Sequence, residues 1–306
     1  MKRVFSFLIV MSLLILTSCQ TVVNVDIPAQ PSLLVFNGNA IAKDSLNIFR
    51  LSKSRGVLEA VNYQYDTATG TVYQFDPVTD GQIVLYENDV AVDTLHHEVI
   101  FRKGDYPTRF IFHSGNTYRI DASGGGLSSV NALTTIPIAV VPLITSYNPD
   151  SYVDNNGSKI GELKFTIPDP ASENNYYQLR LNIIDSGFQV SSISFNSNDP
   201  ALNVDASSDS YGGFSGVSET SFDDHLFNGI QRSFTVNLQG FNLSPTFGLE
   251  VQLISLDRSA YLYDQSLKLQ QSTEGNPFAE PAPVFNNIEN GYGIFGSVAV
   301  ARDTIF

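Results

Sequence analysis

The feature that most constrains the fold is a two-residue alternation of apolar and polar side chains that recurs in short runs. Tyr177, Leu179, Leu181 and Ile183 alternate with Gln178, Arg180 and Asn182, and Phe234, Val236 and Leu238 alternate with Ser233, Thr235, Asn237 and Gln239. Leu249, Val251 and Leu253 repeat the pattern, as do Phe165 with Ile167, Ile83 with Leu85, and Tyr118 with Ile120. Successive side chains of a strand point to opposite faces, so this period implies strands with one buried and one wet face. One-sided burial is the habit of antiparallel sheets. Turn-forming pairs punctuate the runs at Gly38-Asn39, Asn88-Asp89, Gly115-Asn116, Asn156-Gly157 and Asn228-Gly229. Short strands at this spacing predict a mainly β chain of two antiparallel β-sandwich domains, Ig-like or related. There is no βαβ alternation to support a doubly wound nucleotide-binding fold.

One segment departs from the period. In "SLDRSAYLYDQSLKLQQS", Leu256, Ala260, Tyr263 and Leu267 fall at helical spacing after the capping residues Ser255 and Asp257, which predicts an amphipathic helix over 257–271 covering an open sheet end. A domain boundary is expected near "LTTIPIAVVPLITSYNP". There Pro137 and Pro142 suit an extended linker, dividing the body into 19–140 and 141–306. The Ser-, Asn- and Gly-rich "SFNSNDPALNVDASSDSYGGFSG" reads as a long exposed loop.

The first residues are of another kind. Lys2 and Arg3 precede an apolar run from Val4 to Leu16, which is shorter than the ~20 residues a spanning helix needs and reads as an export signal, 1–18. The run ends in Leu16-Thr17-Ser18-Cys19, which resembles a bacterial lipoprotein box position for position. The resemblance implies cleavage before Cys19 and acylation of its sulfur and new amine, giving a membrane partner through several acyl chains, which hold where one binds only reversibly. Cys19 is the sole cysteine, so with it assigned no disulfide, thiolate metal site or cysteine nucleophile is available. The net charge of −14 becomes more negative once Lys2 and Arg3 are lost, and the chain as a whole is then expected to be repelled by nucleic acid and by anionic lipid headgroups.

The search for catalysis or a metal is thin. His96 and His97 are neighbours and would point to opposite faces of a strand. Asp223, Asp224 and His225 offer two carboxylates and an imidazole, weak candidates for a cation site or a hydrolase, inside the turn-like "FDDHLFNG". In "DNNG" at 154–157, setting Gly157 at the sixth position of an EF-hand loop puts Tyr152 first and Leu163 twelfth, so the register fails. "GGFSGV" lacks the second glycine of a nucleophile elbow, and no phosphate-binding loop is present. No catalytic residue and no cofactor are expected.

Several stretches together resemble a known family: "DIPAQPSLLVFNGNAI", "SGNTYRIDA" followed by "TTIP", "FDDHLFNG", "YLYDQSLKLQ" and above all "TEGNPFAEPAPVFNNIENGYGIFGSVAV". They look like the domain-of-unknown-function 4249 family, lipoproteins of Bacteroidota, over nearly all of the mature chain. Members are often encoded beside TonB-dependent receptors. The resemblance therefore implies an outer-membrane lipoprotein that is an accessory or ligand-binding partner of such a receptor; the alternative is a structural or adhesive surface protein. It carries over no catalytic residue and names no ligand. In the C-terminal stretch, Pro277, Pro281 and Pro283 hold the chain extended, while Gly291, Gly293 and Gly296 permit positive φ or close backbone approach before a last strand at about 294–301. Its candidate docking residues are Asn276, Pro277, Phe278, Glu280, Asn286, Asn287 and Glu289.

Overall fold

The computed structural model describes residues 30–56, 59, 63–66, 70–171, 173–185, 187, 189–202, 204, 214–273, 280 and 282–306. Within them the alternating runs become strands: β1 (Leu34–Ile41), β2 (Asn47–Lys53), β3 (Gln64–Asp66), β4 (Thr71–Tyr73), β5 (Asp76–Pro77), β6 (Gln82–Glu87), β7 (Val90–His96), β8 (Asp105–Thr108), β9 (Thr117–Ser123) and β10 (Val130–Thr135). The later half adds β11 (Leu143–Val153), β12 (Lys159–Pro168), β13 (Tyr176–Ile184), β14 (Val190–Ile193), β15 (Phe195–Asn196), β16 (Glu219–Asp223), β17 (Gln231–Gln239), β18 (Gly248–Leu256) and β19 (Tyr292–Ile305). One α-helix, α1 (Arg258–Thr273), lies between the last two strands.

A nine-stranded sheet in the order β14-β13-β18-β19-β1-β2-β5, with β16 beside β13 and β8 beside β2, forms the spine. Two four-stranded sheets, β10-β9-β6-β7 and β11-β12-β17-β15, supply the strands that pack opposite it, and β3-β4 form a separate ribbon. The first core gathers Phe36, Phe49, Tyr106, Phe112, Tyr118 and Phe295. Phe295 meets Phe36 and Phe49 edge-on, with ring centroids 5.6 and 5.9 Å apart. The second core gathers Phe165, Tyr177, Leu179, Leu181, Phe234 and Val236. The architecture is mainly β, sandwich-like, with antiparallel ladders and one helix.

Along the chain, Ile136 belongs to the first core and Val140 to the second. The backbone does not part there. Phe295 and Ala299 of β19 lie in the first core while Ile305 packs against the second, and residues 32–306 form one compact unit. Among the described ladders β1–β19 alone is parallel, with Val35 opposite Tyr292 and Ile41 opposite Val298. As a central strand covered on both faces, β19 reads as a nearly continuous apolar run. Its glycines make the pairing possible. Gly293 has φ +115°, and a Cβ there would fall on the Phe36 carbonyl oxygen; one on Gly296 would strike the Asn39 side chain and reach 3.0 Å from the Ala260 Cβ.

Three expectations change. Gly38-Asn39 is not a turn but lies inside β1, because the Phe49 ring occupies the space a Cβ at residue 38 would need. The predicted loop "SFNSNDPALNVDASSDSYGGFSG" is anchored at its start: β15 and the 3₁₀ turn Pro200–Leu202 send Phe195 and Leu202 into the second core. Residues 205–213 of that stretch lie outside the described residues. The helix begins one residue later than predicted, because Asp257 stands as its N-cap and accepts the Ala260 N–H at 2.9 Å.

Candidate functional site

Because side chains alternate along a strand, the polar residues between Tyr177, Leu179 and Leu181 emerge on the face of the spine opposite the second core. Strand register lines them up. Arg180 is opposite Glu219 of β16 and Gln252 of β18, and Gln252 is opposite Arg302 of β19. The row on one side of it runs Ser221, Gln178, Ile254 and Val300, and the row on the other side runs Asn182, Glu250 and Thr304. Helix α1 crosses this face, seated by Ala260 on Ile254, Leu256 and Val298, with Tyr261 stacked on Tyr176 at 4.7 Å. Between helix and sheet an open cleft of about 540 Å³ remains, with Arg180, Gln252 and Arg302 on its floor and Tyr263, Asp264 and Leu267 on its helical wall.

Its charges are paired. Arg180 donates from Nε and Nη2 to Glu219 Oε2, both at 2.8 Å. Gln252, with its amide oxygen turned to Arg302, accepts from that guanidinium at 2.9 and 3.1 Å, and buried Glu250 accepts from Asn182 Nδ2 at 2.9 Å. Lys268 binds Asp264 at 2.7 Å on the helix. Both arginine side chains stay substantially exposed, 41 % and 56 %. A guanidinium has five donors in a planar fork, so the paired arginines keep N–H groups for a guest. Burial against the sheet pushes the pKa of the Tyr263 phenol on the wall up from its ordinary value. The arrangement offers charge-assisted donors, acceptors and an apolar wall, the means of a binding cleft.

The residues singled out from sequence lie elsewhere. Asp223, Asp224 and His225 do not converge: His225 Nδ1 pairs with Asp223 on the exposed surface, while Asp224 is buried and its Oδ2 accepts the Asn175 N–H at 2.9 Å. Burial raises the pKa of Asp224. Nearby, Asp169 accepts from the Tyr177 hydroxyl at 2.5 Å and from the Gly229 N–H at 2.8 Å, so these acids fasten loops at the end of the second core. Asp154 of "DNNG" folds into a turn, accepting from the Asn156 and Ser158 N–H groups at 2.9 and 2.8 Å. No group of three or more metal-ligating side chains gathers among the described residues.

In the C-terminal stretch, Asn287 brackets Phe295, accepting its N–H at 3.0 Å and donating to its carbonyl at 2.8 Å. Asn286 accepts the Ile288 N–H at 3.2 Å and donates to the Gly291 carbonyl at 3.1 Å. The Phe285 N–H donates to Ser266 Oγ at 2.8 Å, tying the stretch to α1. Both asparagines thus shape the chain itself, while Glu280 and Glu289 are exposed. Asn276, Pro277, Phe278 and Cys19 lie outside the described residues. No helix among the described residues is long and apolar enough to cross a membrane.

Sequence reasoning missed the cleft because its floor comes from four strands spread over residues 219, 180, 252 and 302, each an ordinary polar position of an alternating strand. The one available sign was that two such positions carry arginine in a strongly acidic chain.

Residues 20–304 match the family described as Domain of unknown function (DUF4249). A search of curated proteins finds no match. Among solved structures the chain is similar to a mutant of Salmonella alpha-2-macroglobulin (9 % identity, TM-score 0.24, covering 76 % of this chain and 14 % of that one). It is also similar to Parabacteroides merdae beta-glucuronidase (10 %, 0.22, 74 % and 24 %) and to the BSP domain of a biofilm associated protein (7 %, 0.19, 93 % and 61 %). The chain spans less than two thirds of each.

Proposed function

The chain belongs to the DUF4249 family, and from that premise we propose that it is an outer-membrane lipoprotein, acylated at Cys19, that acts as an accessory or ligand-binding partner of a TonB-dependent receptor. The observation that carries the binding role is the cleft between α1 and the spine, where the exposed guanidinium groups of Arg180 and Arg302 flank Gln252. Acylation at Cys19 would hold the body at the membrane without any spanning segment.

The test is isolation of the tagged protein from outer membranes in mild detergent, with mass spectrometry of what accompanies it. A receptor barrel is expected to co-purify, together with a small ligand that is lost from an Arg180→Ala/Arg302→Ala variant. Recovery of the lipoprotein alone, with nothing in the cleft, would instead support a structural or adhesive surface role. Metabolic labelling with a fatty acid is expected to mark the wild type and not Cys19→Ser.

A further inference from the structure

Two excursions from the first sandwich share one root. The segment between Lys53 and Asp76 carries the β3–β4 ribbon, and its neck is closed by pairing of β5 with Ser52 and Lys53 and by a fork from Arg55 Nε and Nη2 to Asp76, each 2.7 Å. The loop between β7 and β8 returns to the same strand: the Leu51 N–H donates to the Gly104 carbonyl at 2.9 Å, and Leu51 in turn accepts from the Val78 N–H at 3.1 Å. Gly104, with φ +82°, has room for no side chain, since a Cβ would stand 2.7 Å from the Leu51 oxygen and 3.0 Å from Pro77.

What these excursions display is apolar. Val99 and Ile100, at the tip of the loop, are 90 % and 76 % exposed, more than any other large hydrophobic residue described. The tip is shaped, not slack: the Phe101 N–H donates to the Glu98 carbonyl at 3.0 Å and Arg109 holds Glu98 at 3.1 Å. On the ribbon, Tyr65 stands directly opposite Val72, and Tyr63 lies just before its first strand; all three are more than half exposed. A two-stranded ribbon with an uncovered apolar face is marginal in water and is completed by something that packs on it. Directly after the tip come Arg102 and Lys103, both exposed, in a chain of net charge −14.

We infer that this corner, Tyr63, Tyr65 and Val72 with Val99 and Ile100, is a lipid-contact surface that rests on a bilayer with anionic headgroups. Small aliphatic side chains at a fixed tip enter the boundary between headgroups and acyl chains, tyrosines place a ring there with the hydroxyl wet, and Arg102 and Lys103 meet the headgroup charge. The surface belongs to the folded body and is separate from the acyl group on Cys19 proposed above.

The single cysteine makes the test direct. With Cys19 acylated, Val99→Cys or Tyr65→Cys introduces one thiol for an environment-sensitive fluorophore. The full-length protein is reconstituted into phosphatidylethanolamine vesicles containing phosphatidylglycerol, and only the fraction that floats with the vesicles is measured. Labels at 99 and 65 are expected to shift to the blue and to be quenched by spin-labelled lipid. Labels at Val153→Cys and Val190→Cys, 62 % and 59 % exposed in the parent on other strands, are expected to behave as in water. Arg102→Glu with Lys103→Glu, at unchanged melting temperature, is expected to reduce the quenching several-fold. Equal quenching at all four positions would overturn the inference. So would a blue shift that needs no vesicles and grows with protein concentration, which would assign the surface to a second copy of the chain.

Discussion

A few partly buried acids hold the molecule together by hydrogen bonds from backbone and side-chain donors. Asp257 accepts from the Ala260 and Ser297 N–H groups and from the Thr134 hydroxyl, at 2.9, 3.0 and 3.0 Å, joining α1, β19 and β10 at one carboxylate. Replacing it with alanine orphans a helix cap and two buried donors and is expected to destabilise the fold by about 2–4 kcal/mol in urea titration, with Asp257→Asn milder. The acids also set the pH response. Burial raises the folded pKa of Asp257, so its share of stability is present at the acid end and is lost as pH rises through the folded value. Glu87 is the opposite case: the Tyr118 hydroxyl at 2.5 Å and Asn116 Nδ2 at 2.8 Å hold it below the usual glutamate range, and its share is lost as pH falls through that lowered value. Its partner Tyr118 is pushed up to about 12, by burial first and by the Glu87 hydrogen bond second. Glu87→Gln is therefore expected to flatten the acid limb of melting temperature against pH, and Asp257→Asn to flatten the decline above it. The roles of Asp257 and Glu87 were only half legible. A helix cap shows in "SLDRSA", whereas Thr134 and Ser297 are far from it in sequence and meet it only through the sheets.

Among the elements, β19 has the most to lose from small changes. Gly293→Ala requires a side chain at φ +115° on top of the Phe36 carbonyl, and Gly296→Ala one against Asn39 and Ala260. Gly293→Ala is expected to cost more than about 2 kcal/mol by chemical denaturation, the scale of a strained backbone combined with a lost ladder contact. Gly296→Ala is expected to loosen α1 first, seen as faster amide exchange in the helix. The glycines were readable as sites of close approach or positive φ, but not what approaches, because the partner strand β1 lies some 250 residues earlier in the chain and pairs in parallel. The alternating strands were legible for the same reason that β11 is easily misjudged. Tyr177, Leu179, Phe234 and Val236 are buried as their period demands, but β11 is an edge strand exposed over most of its length, and its register shifts beside Pro149.

At the scale of the whole molecule, two cores share one sheet. Phe295 and Ala299 sit in the first and Ile305 against the second, while the Ile144 N–H donates to Asp303 at 2.6 Å and Thr134 bonds Ser297 at 2.8 Å. Residues 32–306 are therefore expected to unfold in a single calorimetric transition, with van't Hoff and calorimetric enthalpies in agreement. Two resolved transitions with a break near residue 140 would contradict the shared spine. The sequence by itself determined the strand-rich class, the buried face of most strands, the helix and its cap, and the family, because period, capping chemistry and a long, distinctive Pro- and Gly-rich C-terminal stretch are local properties of the chain. Only the tertiary structure decided that β19 joins both sandwiches, that Arg180, Gln252 and Arg302 form one row, and that two excursions meet at Leu51. Those depend on pairing between distant segments, and side-chain alternation says which face a residue takes but not which strand will lie beside it.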